Sequence, residues 1–156
     1  INNFAVKFKK LLSNDKFNYT SNHISYITIQ NKPPSRLLPV VISGNDTQTV
    51  RLSSSASDFI RIQWAFYLTL LDISNNHPGF IVFDEPGQHA MNVESMVALL
   101  KYSILSKKQI IMCISKDTKE KSSTANLSKI LQYLKGTEKY TLIDIDPDDQ
   151  KCIRPR

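Results

Sequence analysis

Glycine is scarce in this chain, four in 156 residues. No G-x-x-x-x-G-K-[ST] and no G-x-G-x-x-G pattern occurs. Both common loops that cradle phosphates with backbone N–H groups are thereby excluded from these residues. Cysteine is scarcer still: Cys113 and Cys152 carry neither metal-ligand spacing nor a disulfide framework, as expected in a reducing, cytoplasmic setting. No stretch approaches the roughly 20 apolar residues of a membrane span, and Ile1 to Leu12 lacks the apolar centre of a signal peptide. A membrane partner is therefore not expected. Repeats and low-complexity segments are absent apart from Ser53-Ser54-Ser55, and the opening Ile1 suits a processed chain or a piece of a longer polypeptide.

Hydrophobic residues make up 41% and charged residues 22%, the balance of a globular chain long enough to bury a core. The net charge of +6 permits a polyanion such as DNA as partner. The basic residues are dispersed (Lys7, Lys9, Lys10; Lys107, Lys108; Lys116, Lys119, Lys121; Arg154, Arg156), so a solvated surface accounts for most of them.

Phe4, Phe8, Leu11 and Leu12 recur at helical spacing and predict a short amphipathic helix ending near Ser13-Asn14-Asp15. Ile24 to Ile29 alternates as a strand, Pro33-Pro34 breaks it, and Leu37 to Ile42 reads as a second. Ser43-Gly44-Asn45-Asp46 is turn chemistry leading into Thr47 to Leu52. Ala56 to Ser74 is a helix capped by Ser55 or Ser57, with Asp58 in its first turn. Its apolar residues lie nearly all round, as in a buried helix. Further on, Val93 to Leu105 and Leu127 to Leu134 read as helices, the latter stopped by Gly136. Gln109 to Ile114 and Tyr140 to Ile145 read as strands. Strand, helix, strand, helix, strand after residue 79 predicts a parallel sheet.

The first of these strands is the most telling. Phe80-Ile81-Val82-Phe83 runs into Asp84-Glu85-Pro86. An all-apolar run bounded by Gly79 and Pro86 reads as a strand buried on both faces. Acids at its carboxyl end stand where open α/β sheets bind ligands. That is the layout of a Walker B element, whose Asp holds Mg²⁺ and whose Glu polarises the attacking water. An ordinary core strand with a polar end is the plainer alternative.

Ser55-Ala56-Ser57-Asp58 before the helix, Ala65-Phe66 within it and Asp84 29 positions after Ser55 form one arrangement. It resembles the carboxyl-terminal lobe of ABC-type ATPases of the structural-maintenance-of-chromosomes (SMC) and recombination-repair class. These carry an L-S-G-G-[EQ] signature, a helix with a small–aromatic pair and a strand ending D-E-P. In that register the signature Ser is Ser55, its glycines are Ala56 and Ser57, and its acid is Asp58. A shifted register would use Leu52-Ser53-Ser54-Ser55.

The resemblance implies an α/β fold with a largely parallel sheet flanked by helices, the C-terminal lobe of a P-loop NTPase. It implies ATP and Mg²⁺ as cofactors: Asp84 as the metal-linked acid, Glu85 as catalytic base and Ser55, with Ala56 and Ser57, contacting the γ-phosphate on an opposite head. Residues 1–20 would be the helix by which the chain re-enters the head from a coiled-coil arm, and 21–156 the lobe itself. The Walker A lobe would come from elsewhere, and the isolated chain would be inactive. A partner head and DNA are the implied partners.

The chain departs from the pattern at three places. Both signature glycines are replaced. Met91 or Asn92 stands where the family's D-loop has Asp. Ser115-Lys116 stands where it has Ser-His, passing the switch role to Lys116, while His89 is a second candidate γ-phosphate sensor. Two rival functions remain open: a metal-dependent nuclease using Asp58, Asp84 and Glu85, and a catalytically silent interaction module. Asp144 to Asp149 reads as a solvated acidic turn.

Overall fold

The structure, a computed structural model, describes residues 2–13, 15–32, 36–87, 89, 91–114, 131–136 and 139–143. Phe4, Phe8, Leu11 and Leu12 form the buried side of helix α1 (Asn2–Leu12), and Lys9 and Lys10 complement the carbonyl end of its dipole. The chain then turns back through Asn18, which takes a left-handed φ of 55° that asparagine tolerates better than most residues. Phe17 N–H donates to Leu11 O (3.0 Å) and Tyr19 N–H to Leu12 O (3.1 Å). Two of the spare carbonyls at the helix end are thus satisfied.

An antiparallel sheet follows, in the order β1-β2-β3, from β1 (Ile27–Lys32), β2 (Arg36–Ser43) and β3 (Asp46–Thr49). Ile27 pairs with Val41 and Ile29 with Pro39, which puts Ile27, Ile29 and Val41 on the core face. Gly44 supplies the φ of 59° that the tight β2–β3 turn needs. The strand expected from Ile24 begins three residues later. Ile24–Tyr26 is a single 3-10 turn, closed when Tyr26 N–H donates to His23 O and capped by His23 Nδ1, which accepts Ser25 N–H at 3.2 Å.

A short helical turn, α2 (Val50–Ser53), leads to the long helix α3 (Ala56–Ile73). Beyond it lie β4 (Phe80–Asp84), α4 (Val93–Leu105) and β5 (Gln109–Cys113). β4 and β5 pair in parallel, Phe80 opposite Gln109 and Asp84 opposite Cys113. One apolar cluster joins both sheets to the helices. Phe66 of α3 meets Phe4 and Phe8 edge-on at 5.4 and 6.5 Å, and Trp64 meets Phe17 at 5.6 Å. A polar latch ties three helices outside that cluster: Lys7 and the Tyr102 hydroxyl both reach Asp72 Oδ2.

The architecture is mixed α/β, and two expectations are corrected. A largely parallel sheet was expected, but only β4–β5 is parallel among the described strands; the other three are antiparallel. Burial of β4 on both faces was expected too. Ile81 and Phe83, with Ile110 and Met112, pack on the core, while Phe80 (46% exposed), Val82 (51%) and Ile111 (40%) face outward. No described element covers that second face. Tyr140 to Ile143 is exposed and has no strand pairing, since alternation in sequence does not by itself provide a neighbour; Asp144 and Ile145 lie outside the described residues. Of the helix expected at Leu127 to Leu134, residues 127–130 also lie outside them. Residues 131–136 hold a helical end that turns at Gly136, with φ 82°.

Candidate functional site

Ser55 caps α3 as its type predicts: its hydroxyl accepts Asp58 N–H at 3.2 Å. In an ordinary capping box the acid three residues on would return a bond to the cap's own N–H. Here the return runs through a third residue. Ser55 N–H donates to Ser21 Oγ (2.8 Å), and Ser21 Oγ donates to Asp58 Oδ2 (2.5 Å).

Asp58 is fully buried, and its carboxylate is saturated with donors. Oδ2 also accepts Ser21 N–H (2.7 Å) and Thr20 Oγ1 (3.1 Å). Oδ1 accepts Arg61 Nη1 (2.6 Å), and Thr20 N–H lies 3.2 and 3.3 Å from the two oxygens. Burial opposes ionisation, but the bonds from Ser21, Arg61 and Thr20 outweigh it and hold the carboxyl below its ordinary range. Arg61 is itself buried; Nε donates to Ser95 Oγ (3.1 Å) and Nη1 also to Ser57 Oγ (3.3 Å). Ser95, buried in the first turn of α4, passes its own proton to Phe17 O (2.9 Å). Tyr19 and Asn22 brace the preceding loop, the one through Ser54 Oγ (3.0 Å) and the other through Ser53 O (2.6 Å).

The loop held this way presents Ser55 and Ala56 exposed and Ser57 half-buried, with the Ser55 and Ser57 hydroxyls 3.4 Å apart. The N–H groups of Ala56 and Ser57 belong to the first turn of α3, where no intrahelical acceptor exists. Hydroxyls and amides gathered at a helix N-terminus suit an anion.

The second arrangement lies at the carboxyl end of β4. Asp84 is exposed and makes no ion pair among the described residues. Glu85 is half-buried and left-handed at φ 45°, and its N–H extends the parallel ladder to Cys113 O at 2.9 Å. Pro86 is buried; His89 is exposed and also left-handed, φ 58°. A single exposed carboxylate is a hard oxygen donor of the kind that Mg²⁺ takes alongside waters and phosphates. Asp84 offers one such donor, with Glu85 next to it in the chain, and no further carboxylate, His or Cys completes a cluster around them among the described residues.

Met91 and Asn92, at the expected D-loop acid, have structural work. Met91 is fully buried, and Asn92 caps α4 by accepting Ser95 N–H at 2.9 Å. Lys116 lies outside the described residues. Asp58 does not join Asp84 and Glu85: no group of three or more His, Cys, Asp or Glu gathers among the described residues. Nor is any described helix long and apolar enough to cross a membrane.

Sequence reading missed Thr20, Ser21, Arg61 and Ser95. Arg61 offered a signal, the one basic residue of a mostly apolar helix, three positions after Asp58. Compared with known proteins, the chain matches no family model and no curated sequence.

Proposed function

We propose that this chain forms the C-terminal lobe of an ATPase head of the ABC type, in an SMC-like or recombination-repair-like protein. The observation that carries the reading is the β4–β5 pair. It is parallel and all-apolar in β4 up to Asp84, core-packed on one face and open on the other at Phe80, Val82 and Ile111. Two parallel strands do not stand as a sheet by themselves, and parallel sheets are covered on both faces. Such a sheet calls for cover on its open face, and in this reading a further lobe carrying the phosphate-binding loop supplies it.

In this reading Asp84 would hold Mg²⁺, which would supply charge neutralisation on the phosphates, and Glu85 would take the proton of the attacking water. Ser55, with the amides of Ala56 and Ser57, receives the γ-phosphate bound on an opposite head, so that ATP joins two heads. His89 and Lys116 are the candidate phosphate sensors. DNA is the expected polyanionic partner, and the cytoplasm the expected compartment. The nuclease alternative loses support, because Asp58 has no lone pair left for a metal once five donors occupy it.

Light scattering of the full-length protein carrying Glu85→Gln, with and without Mg·ATP, tests the reading. Association driven by ATP and abolished by Ser55→Arg is the expected result. Indifference to ATP overturns it.

A further inference from the structure

We infer that Arg61 is a positioning residue that locks the Ser55–Ser57 loop to the start of α4, so that anion binding at the loop is felt at the segment following Glu85. What the loop does rests on the ATPase reading above; the coupling rests on the hydrogen bonds alone.

A buried ion pair needs only the 2.6 Å contact between Arg61 and Asp58. This guanidinium does more. Nη1 also holds the Ser57 hydroxyl, which is half-buried at the loop surface, and Nε holds Ser95. Ser95 has no freedom to turn away. Its oxygen accepts from Arg61, its proton goes to Phe17 O, and its N–H goes to Asn92 Oδ1. A continuous polar chain thus runs from Ser55 through Ser57, Arg61 and Ser95 to Asn92. Asn92 ends the segment that starts at Asp84-Glu85. An anion at the loop accepts the Ser57 proton while Arg61 Nη1 donates to the Ser57 oxygen, so it tightens and redirects that bond, and any shift of the planar fork is passed to Ser95. Lysine keeps the charge but not the fork, so it cannot serve three acceptors in fixed directions.

The test uses Ser95→Ala and Arg61→Lys in the full-length protein. Amide hydrogen exchange is followed at residues 55–59 and 92–96, and the ATP concentration for half-maximal association is measured in a Glu85→Gln background. Both variants should quicken exchange in both segments together. Each should raise the half-maximal ATP concentration on the order of tenfold, a typical coupling between sites. Ser57→Ala combined with Ser95→Ala should raise the half-maximal ATP concentration no more than either alone, a non-additivity that two independent effects on ATP binding would not produce. If Ser95→Ala quickens exchange only at 92–96, or if the Ser57 and Ser95 effects add, the inference is overturned. If the two segments loosen together but ATP never drives association, the coupling stands and the ATPase reading falls.

Discussion

The Ser21 hydroxyl stands between Ser55 and Asp58, accepting the backbone N–H of the one at 2.8 Å and donating to the carboxylate of the other at 2.5 Å. A residue 34 positions upstream of the helix cap therefore completes the cap. Removing that hydroxyl orphans Ser55 N–H and strips one donor from a buried carboxylate. Ser21→Ala should cost about 1–2 kcal/mol of unfolding free energy, the range for lost caps and buried hydrogen bonds. Ser21→Thr keeps the oxygen and should restore most of it. Urea unfolding of the three proteins decides the matter, and equal midpoints for wild type and Ser21→Ala would contradict it.

Asp58 gives the fold a dependence on acid. Its folded pKa is held below the ordinary value, so below about pH 4 the unfolded chain binds a proton there more readily than the folded one. The stabilisation it provides is complete above the ordinary aspartate pKa and is lost as pH falls through the folded value. Asp58→Asn removes that dependence. It also leaves Arg61 buried without its counter-charge, at a cost of about 3–5 kcal/mol near neutrality. Urea midpoints between pH 7 and 3 should therefore fall steeply at the acid end for wild type and less for the variant. Parallel curves would show that Asp58 does not govern the acid limb.

Much of this framework is legible locally. Ser55 before an apolar helical run marks the start of α3, and Gly79 and Pro86 bracket β4, because caps and breakers act on residues next to them. The buried polar network is not legible that way. Ser95 meets Phe17 across 78 positions and Arg61 across 34, and nothing in local spacing announces either contact. The open face of β4 misled for a related reason. An all-apolar run states that both faces want cover, not that both are covered among the described residues.

That uncovered face makes a prediction about context. Val82 is half exposed, so Val82→Lys in the 156-residue chain should shift stability by no more than about 0.5 kcal/mol, the usual range for surface sites. It should also reduce self-association in sedimentation runs, since it places a charge in an apolar patch. In the full-length protein, where the proposed second lobe covers this face, the same lysine is buried. There it should lower stability by about 1–3 kcal/mol. A lysine tolerated equally in both would mean that no lobe docks on β4.

Glu85 holds φ at 45°, a conformation that costs a residue with a Cβ about 1–2 kcal/mol relative to one that adopts it freely. Such strain concentrates at functional sites, where the side chain is worth the backbone's discomfort. Two substitutions separate backbone from carboxylate. Glu85→Gly relieves the backbone and should raise the melting temperature of the full-length protein by a few degrees, as a gain of about 1 kcal/mol would. Glu85→Gln keeps the shape and the strain and should melt near wild type. On the ATPase reading both lose hydrolysis, because neither can take a proton from water, and Glu85→Gln still assembles with ATP. A melting temperature lowered by glycine would show that contacts of the Glu85 side chain, rather than the geometry of its turn, hold this end of β4.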